Sequence, residues 1–74
     1  MKPHDLESYK DANGFVFFRL DPETGSCIEA MVSARRGDGM RRSYFGRDAA
    51  PTAFLPTREE REGWARSSLA ELAD

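Results

Sequence analysis

Hydrophobic residues in the first two thirds of the chain recur at every second position, which is the spacing of side chains on one side of a β-strand. Residues 15–20 read Phe-Val-Phe-Phe-Arg-Leu, a run rich in aromatic and β-branched residues. In residues 26–34 one alternating set is Ile28, Ala30, Val32 and Ala34, and the opposite set is Cys27, Glu29, Met31 and Ser33. Residues 40–45 complete three predicted strands.

Two turn sequences separate these strands. Asp-Pro-Glu-Thr-Gly at 21–25 predicts a tight turn, because proline presets φ and Gly25 accepts a left-handed conformation. Arg-Arg-Gly-Asp-Gly at 35–39 has two glycines for positive φ. Both connections are short, so we expect a three-stranded antiparallel meander over residues 14–46.

Both sides of the first predicted strand are apolar. Phe15 and Phe17 lie on one side of residues 15–20, and Val16 and Phe18 lie on the other. Strands of this kind are usually covered on both sides. A single helix covers only one side, so we expect the N-terminal segment, the loop around Phe54 or a second molecule to cover the other.

The end of the chain predicts a helix over residues 57–73. Thr57 and Glu60 have the spacing of a capping box, with Thr57 as the N-cap. The apolar stripe of this helix consists of Ala65, Leu69 and Leu72, with Trp64 at its edge. Gly63 lies within the helix, where it either allows close packing against the sheet or marks a bend.

The two remaining segments carry weaker signals. Residues 3–10 predict a short helical turn within an N-terminal segment 1–13, since Leu6 and Tyr9 would share a face. Residues 47–56 predict an irregular connection, with a possible short fourth edge strand at 52–55. The prediction is therefore a single α+β domain over residues 1–74, a meander packed against a C-terminal helix.

The short length of the chain predicts that the domain needs a source of stability besides its hydrophobic core. Domains below about 70–80 residues usually need a disulfide, a metal or a partner subunit, and this chain has 74 residues. Cys27 and His4 are the only cysteine and histidine, so neither an internal disulfide nor a four-ligand zinc site is expected. Self-association, for example as a homodimer, is the remaining possibility.

Signals for enzymatic activity, targeting and membrane insertion are nearly absent. A histidine-dependent nucleophile would have to use His4, close to the terminus. Glu59, Glu60 and Glu62 crowd the start of the predicted helix, where the helix dipole explains acidic residues without catalysis. We expect no enzyme activity, no cofactor and no bound metal. The lack of a signal sequence or a long apolar segment favours a cytoplasmic protein that does not enter the membrane.

Charge is unevenly distributed along the chain. Residues 1–34 carry three positive and six negative charges, residues 35–47 carry five arginines and one aspartate, and residues 48–74 carry three positive and six negative charges. A basic centre therefore lies between two acidic arms. The candidate partner-binding residues combine its arginines with nearby aromatic residues: Arg35, Arg36, Arg41, Arg42, Tyr44, Phe45, Arg47 and Phe54.

Two functions compete for this surface. The preferred hypothesis is a protein-binding module, such as a small inhibitor, adaptor or regulatory protein, because arginine and aromatic residues anchor interfaces. The chain is similar in size and charge to the stand-alone acidic domains that phages encode against host machinery, anti-CRISPR proteins among them.

The alternative hypothesis is a DNA- or RNA-binding domain that uses an arginine-rich β-hairpin. The turn at 21–25, the Arg-Arg-Ser-Tyr-Phe run at 41–45 and the helix start at 57–64 resemble the arm-type DNA-binding domains at the front of tyrosine recombinases. That resemblance implies a basic third strand as the binding element. The acidic net charge of −2 departs from the pattern of such domains. The arginines would otherwise pair with the acidic arms, within the chain or across a dimer.

Overall fold

The computed structural model describes residues 5–46 and 57–73, which form one antiparallel sheet and one helix. The elements are β1 (Asp5–Asp11), β2 (Gly14–Leu20), β3 (Cys27–Arg36), β4 (Gly39–Phe45) and α1 (Arg58–Leu72). The strands lie in the order β1-β2-β3-β4, and each is antiparallel to its neighbour. The α+β class is therefore confirmed.

The N-terminal segment is a strand, and the predicted helical turn over residues 3–10 is wrong. Each residue of β1 has a partner in β2, from Asp5 opposite Leu20 to Asp11 opposite Gly14. Ala12 and Asn13 form the turn of this hairpin, in which the Asp11 carboxylate accepts the Asn13 N–H at 2.7 Å. A helix of eight residues has little stability of its own, whereas β1 gains a full ladder of hydrogen bonds. The meander consequently has four strands where the sequence predicted three.

The other predicted strands and turns agree with the structure to within a few residues. Gly25 adopts the expected left-handed conformation with a φ of 76°, and its N–H donates to the Asp21 carbonyl at 2.7 Å. The second turn differs from the expectation of two glycines with positive φ, because Gly37 has a φ of 59° and Gly39 does not have a positive φ. The predicted connection at 47–56 and its possible edge strand at 52–55 lie outside the described residues.

The core lies between α1 and one side of the sheet, which we call the helix face. Val16, Phe18, Val32 and Leu69 are completely buried there. Trp64 packs its ring against Phe18, with ring centroids 5.9 Å apart. This side of the sheet therefore holds the apolar contacts that stabilise the fold.

A β-bulge alters the side-chain alternation of β3. Arg19 lies opposite Glu29, but the next residue, Leu20, lies opposite Cys27, so the register shifts by one residue at Ile28. The sequence alternation had placed Cys27 on the same side as Glu29. In the structure Cys27 belongs to the buried core instead. A β-bulge has this effect because the extra residue in one strand moves the side chains that follow it to the opposite face of the sheet.

The predicted cap and stripe of the C-terminal helix are confirmed. The Thr57 hydroxyl accepts the Glu60 N–H at 3.2 Å and donates to the Glu60 carboxylate at 2.8 Å. The buried stripe consists of Arg61, Ala65 and Leu69. Arg61 is an unexpected member of this stripe, since arginine is rarely buried without a partner.

Gly63 does not bring α1 closer to the sheet. A Cβ atom at this position would have no heavy atom outside the local helix backbone within 4 Å, and the helix continues through it. Because glycine costs about 1 kcal/mol against alanine in a helix interior, Gly63→Ala is expected to raise the free energy of unfolding by about that amount. Urea denaturation measures the change. An unchanged or lower midpoint would contradict the open environment of this residue.

Candidate binding surface

The side of the sheet that faces away from α1 is a continuous surface, which we call the open face. Thirteen side chains point to this side: Leu6, Ser8, Lys10, Phe15, Phe17, Arg19, Glu29, Met31, Ser33, Arg35, Met40, Arg42 and Tyr44. Ser33 is the buried member of this set. Within residues 5–46 and 57–73, no helix or strand packs over it. The exposed large hydrophobic side chains of residues 5–46 and 57–73 all lie on the open face: Leu6, Phe17, Met31, Met40 and Tyr44.

An apolar row crosses the centre of the open face. Phe17 lies opposite Met31, and Met31 lies opposite Tyr44, so the row spans β2, β3 and β4. Phe17 is 45% exposed and Tyr44 is 62% exposed. Phe15 packs edge-on against Phe17, with ring centroids 5.2 Å apart. The row therefore presents aromatic side chains to solvent from β2 and from β4, on either side of Met31.

Two shallow depressions adjoin this row. Leu6, Met31 and Tyr44 contribute to the first, together with Phe17. The second includes Lys10 and Phe15, and Phe17 lines this depression as well. Phe17 thus lies between two recesses that are open to solvent.

An ion pair closes one end of the open face. The Arg19 guanidinium donates to the Glu29 carboxylate directly opposite it. Desolvation and the nearby Glu29 carboxylate raise the pKa of Tyr44 above its ordinary value. Glu29 therefore neutralises Arg19 at this end of the open face.

Three other cations point to the open face and have no carboxylate opposite them. They lie towards the end of this face that is away from Arg19 and Glu29. Lys10 and Arg42 stand at the two ends of a row that also contains Phe15 and Ser33. Arg35 lies diagonal to Arg42, because its own partner in β4 is Met40. With Arg19 included, four cations face a single carboxylate, which gives the open face a formal charge of +3. The whole chain carries −2, so the rest of it carries −5.

The structure divides the candidate residues that the sequence had grouped together. Arg35, Arg42 and Tyr44 lie on the open face. Arg41 and Phe45 alternate to the helix face, where Phe45 packs edge-on against Trp64 at 5.2 Å.

Of the other candidates, Arg36 lies opposite Gly39 at the end of the β3–β4 hairpin. Arg47 and Phe54 lie outside the described residues. The predicted arginine cluster is therefore not a single patch.

Other members of the surface were not predicted. Leu6 and Lys10 were missed because β1 was assigned to a helical turn. Phe17 and Met31 were noticed as apolar, but a cover was expected over Phe17. No local signal would have located this part of the surface, because Leu6, Ser8 and Lys10 do not alternate in polarity with Glu7, Tyr9 and Asp11.

Reactive groups elsewhere in the described part of the chain have structural surroundings. Burial raises the pKa of the Cys27 thiol, which donates to the Glu29 carbonyl at 3.6 Å. Residues 5–46 and 57–73 contain no group of three or more His, Cys, Asp or Glu side chains able to hold a metal ion.

Within the described ranges, α1 is too short and too polar to cross a membrane. Comparison with protein-family models, with curated proteins and with solved structures gave no match to this chain.

Proposed function

We propose that this chain is a non-catalytic binding module that holds its partner on the open face of the sheet. The observation that carries the proposal is the exposure of five large hydrophobic side chains on one side of a 74-residue domain, next to uncompensated cations. Contiguous apolar surface of this kind usually marks a site of interaction. The helix face has its core, whereas the open face has none in the described residues.

The composition of the open face supports a protein partner, which is also the preferred hypothesis from the sequence. Phe17, Met31 and Tyr44 are residue types enriched at interfaces, and arginine joins them at the rim. A small inhibitor or adaptor of this kind would present a rigid sheet with aromatic anchors.

The charge of the open face supports a second candidate, a nucleic-acid partner. Lys10, Arg35 and Arg42, counted with Arg19 and Glu29, give the open face a formal charge of +3, whereas the whole chain carries −2. Arginine and lysine placed beside exposed rings are common to surfaces that bind single strands.

Site-specific photo-crosslinking tests the proposed surface. Benzoylphenylalanine is introduced at Phe17, whose ring it conserves, and at Ser67 on the exposed side of α1 as the matched control. After irradiation of expressing bacterial cells, we expect adducts from position 17 and few from position 67. Nuclease and protease digestion then sort the adducts into nucleic acid, protein and self-linked dimer.

The proposal depends on position. Equal adduct yields from the two positions, or no adduct from position 17, would contradict an open-face binding site. Melting temperatures of both labelled proteins establish that each is folded.

A further inference from the structure

We propose that the partner of the open face is a single-stranded nucleic acid, whose bases stack on Phe17 and Tyr44 while Lys10, Arg35 and Arg42 contact its phosphates. This inference rests on the function proposed above, because it uses the same surface. It goes further by assigning the chemical class of the ligand and a role to each group.

The aromatic side chains are arranged as a stacking platform. Phe17 and Tyr44 are separated by one strand, so their attachment points lie about 10 Å apart, twice the usual strand spacing. Both are substantially exposed, and Met31 fills the gap between them. Every base has a planar π-face, so exposed rings of this kind bind bases without regard to sequence.

The three cations lie together on one side of the apolar row. Lys10 and Arg42 are three strand spacings apart, about 14 Å, at opposite ends of the row next to Phe17. Arg35 extends the positive charge beyond that row. A nucleic-acid strand that crosses the sheet with its bases on the rings would therefore have its backbone along these cations.

Charge argues against a second copy as the occupant. In a twofold symmetric contact the same patch meets itself, so a formal charge of +3 would face +3. The acidic surface of the chain lies mainly elsewhere, for example at Glu59 and Glu60 on α1. Like charges placed together oppose association, so an anionic ligand suits the open face better than another open face.

Shape argues for a single strand over a duplex. Four strands give the sheet a width of about 14 Å between its outer strand axes, which exceeds the roughly 12 Å major groove of B-DNA. The rings also need the faces of bases, which a duplex keeps stacked on each other. The adjacent residues Arg41 and Arg42 cannot both contact one nucleic-acid backbone, because they point to opposite faces of the sheet.

Fluorescence anisotropy tests the inference with labelled oligonucleotides of about twelve nucleotides, within the usual site sizes of such surfaces. The probes are oligodeoxythymidine, the matching uridine oligomer and a duplex of equal length. We expect both single strands to bind more tightly than the duplex. With three phosphate contacts, affinity for the single strand is expected to fall about 20-fold between 50 mM and 200 mM salt.

Variants separate the roles of rings and cations. Phe17→Ala and Tyr44→Ala are each expected to weaken binding by about 5-fold or more, the lower end for a lost base stack. Lys10→Gln with Arg42→Gln is expected to weaken binding and to flatten its salt dependence. Arg66→Gln, on the exposed side of α1, removes one positive charge as a control and should leave binding nearly unchanged. These side chains lie on the surface, and circular dichroism verifies that every variant is folded.

Three results would overturn the inference: no binding of single strands, equal binding of duplex, or binding that survives loss of both rings. Failure of this inference differs from failure of the proposed function. If oligonucleotides do not bind but position 17 still crosslinks selectively to protein, the ligand class is wrong and the surface is right. If position 17 gives no selective adduct either, both are wrong.

Discussion

Glu7→Ala is expected to lower the free energy of unfolding by about 3–5 kcal/mol, the cost of leaving a buried charge without its partner. Arg61 lies on the buried stripe of α1, and its Nε and Nη2 donate to the two Glu7 carboxylate oxygens at 2.6 Å and 2.9 Å. The two side chains are only 7% and 13% exposed. The free energy of unfolding of a small domain is about 5–15 kcal/mol in total, so this loss would bring the protein close to complete unfolding.

A double variant distinguishes the paired charge from simple packing. Glu7→Leu with Arg61→Met replaces both charges by apolar side chains of similar length. Removing both partners is often neutral or stabilising, so the double variant should be more stable than Glu7→Leu alone or Arg61→Met alone. Urea denaturation of the four proteins completes a double-mutant cycle. A double variant as unstable as the sum of the singles would contradict the account of this pair.

The same pair gives stability a dependence on pH. The hydrogen bond from Arg61 holds the pKa of Glu7 below its ordinary value of 4.5, against the opposing effect of burial. Its contribution is therefore fully present above about pH 4.5 and is lost as pH falls through the lower folded pKa. Glu7→Gln is expected to remove this component of acid sensitivity, which denaturation at several pH values measures.

Gly14→Ala is expected to destabilise the fold by about 3 kcal/mol or more, because backbone strain and overpacking add at this position. Gly14 has a φ of 145°, which side-chain-bearing residues rarely adopt. A Cβ would also collide with the Ser33 carbonyl oxygen and approach the Ala34 Cα at 2.9 Å. The β1–β2 hairpin would have to move away from β3.

Gly25→Ala is the matched control for this prediction. Gly25 has a positive φ of 76°, but a Cβ there meets nothing within 4 Å. Gly25→Ala should therefore lower the free energy of unfolding only by the cost of backbone strain, about 1 kcal/mol. Thermal or urea denaturation compares the two variants. Equal destabilisation by both substitutions would contradict the close approach of Gly14 to β3.

The sequence predicted those elements whose signals are local. The Thr57 cap with Glu60, the left-handed Gly25 and the alternation in β2 each depend on neighbouring residues, and the structure contains all three. β1 was mistaken for a helix because Leu6 and Tyr9 also fit a helical spacing. Only pairing with β2 decides between the two, and pairing is not a local property.

The candidate site was predicted only in part, for a related reason. Charge along the chain placed Arg41 and Arg42 in one candidate set, although strand alternation already predicts that they point to opposite faces, as they do in β4. The β-bulge opposite Arg19 and Leu20 places the Cys27 side chain in the core. The sequence has no glycine at this point of β3 that would have predicted the bulge. The Glu7–Arg61 pair spans 54 positions, and no spacing rule connects residues so far apart.

The most direct test of the central claim is hydroxyl-radical footprinting of the free protein in dilute solution, read out residue by residue by mass spectrometry. The claim is that the open face is accessible while the helix face is packed. We expect rapid oxidation of Met31, Phe17 and Tyr44, and almost none of Phe18, which is fully buried. If Met31 and Phe17 were as protected as Phe18, another part of the chain or a second copy would cover the open face, and the account of it as a free binding surface would be wrong.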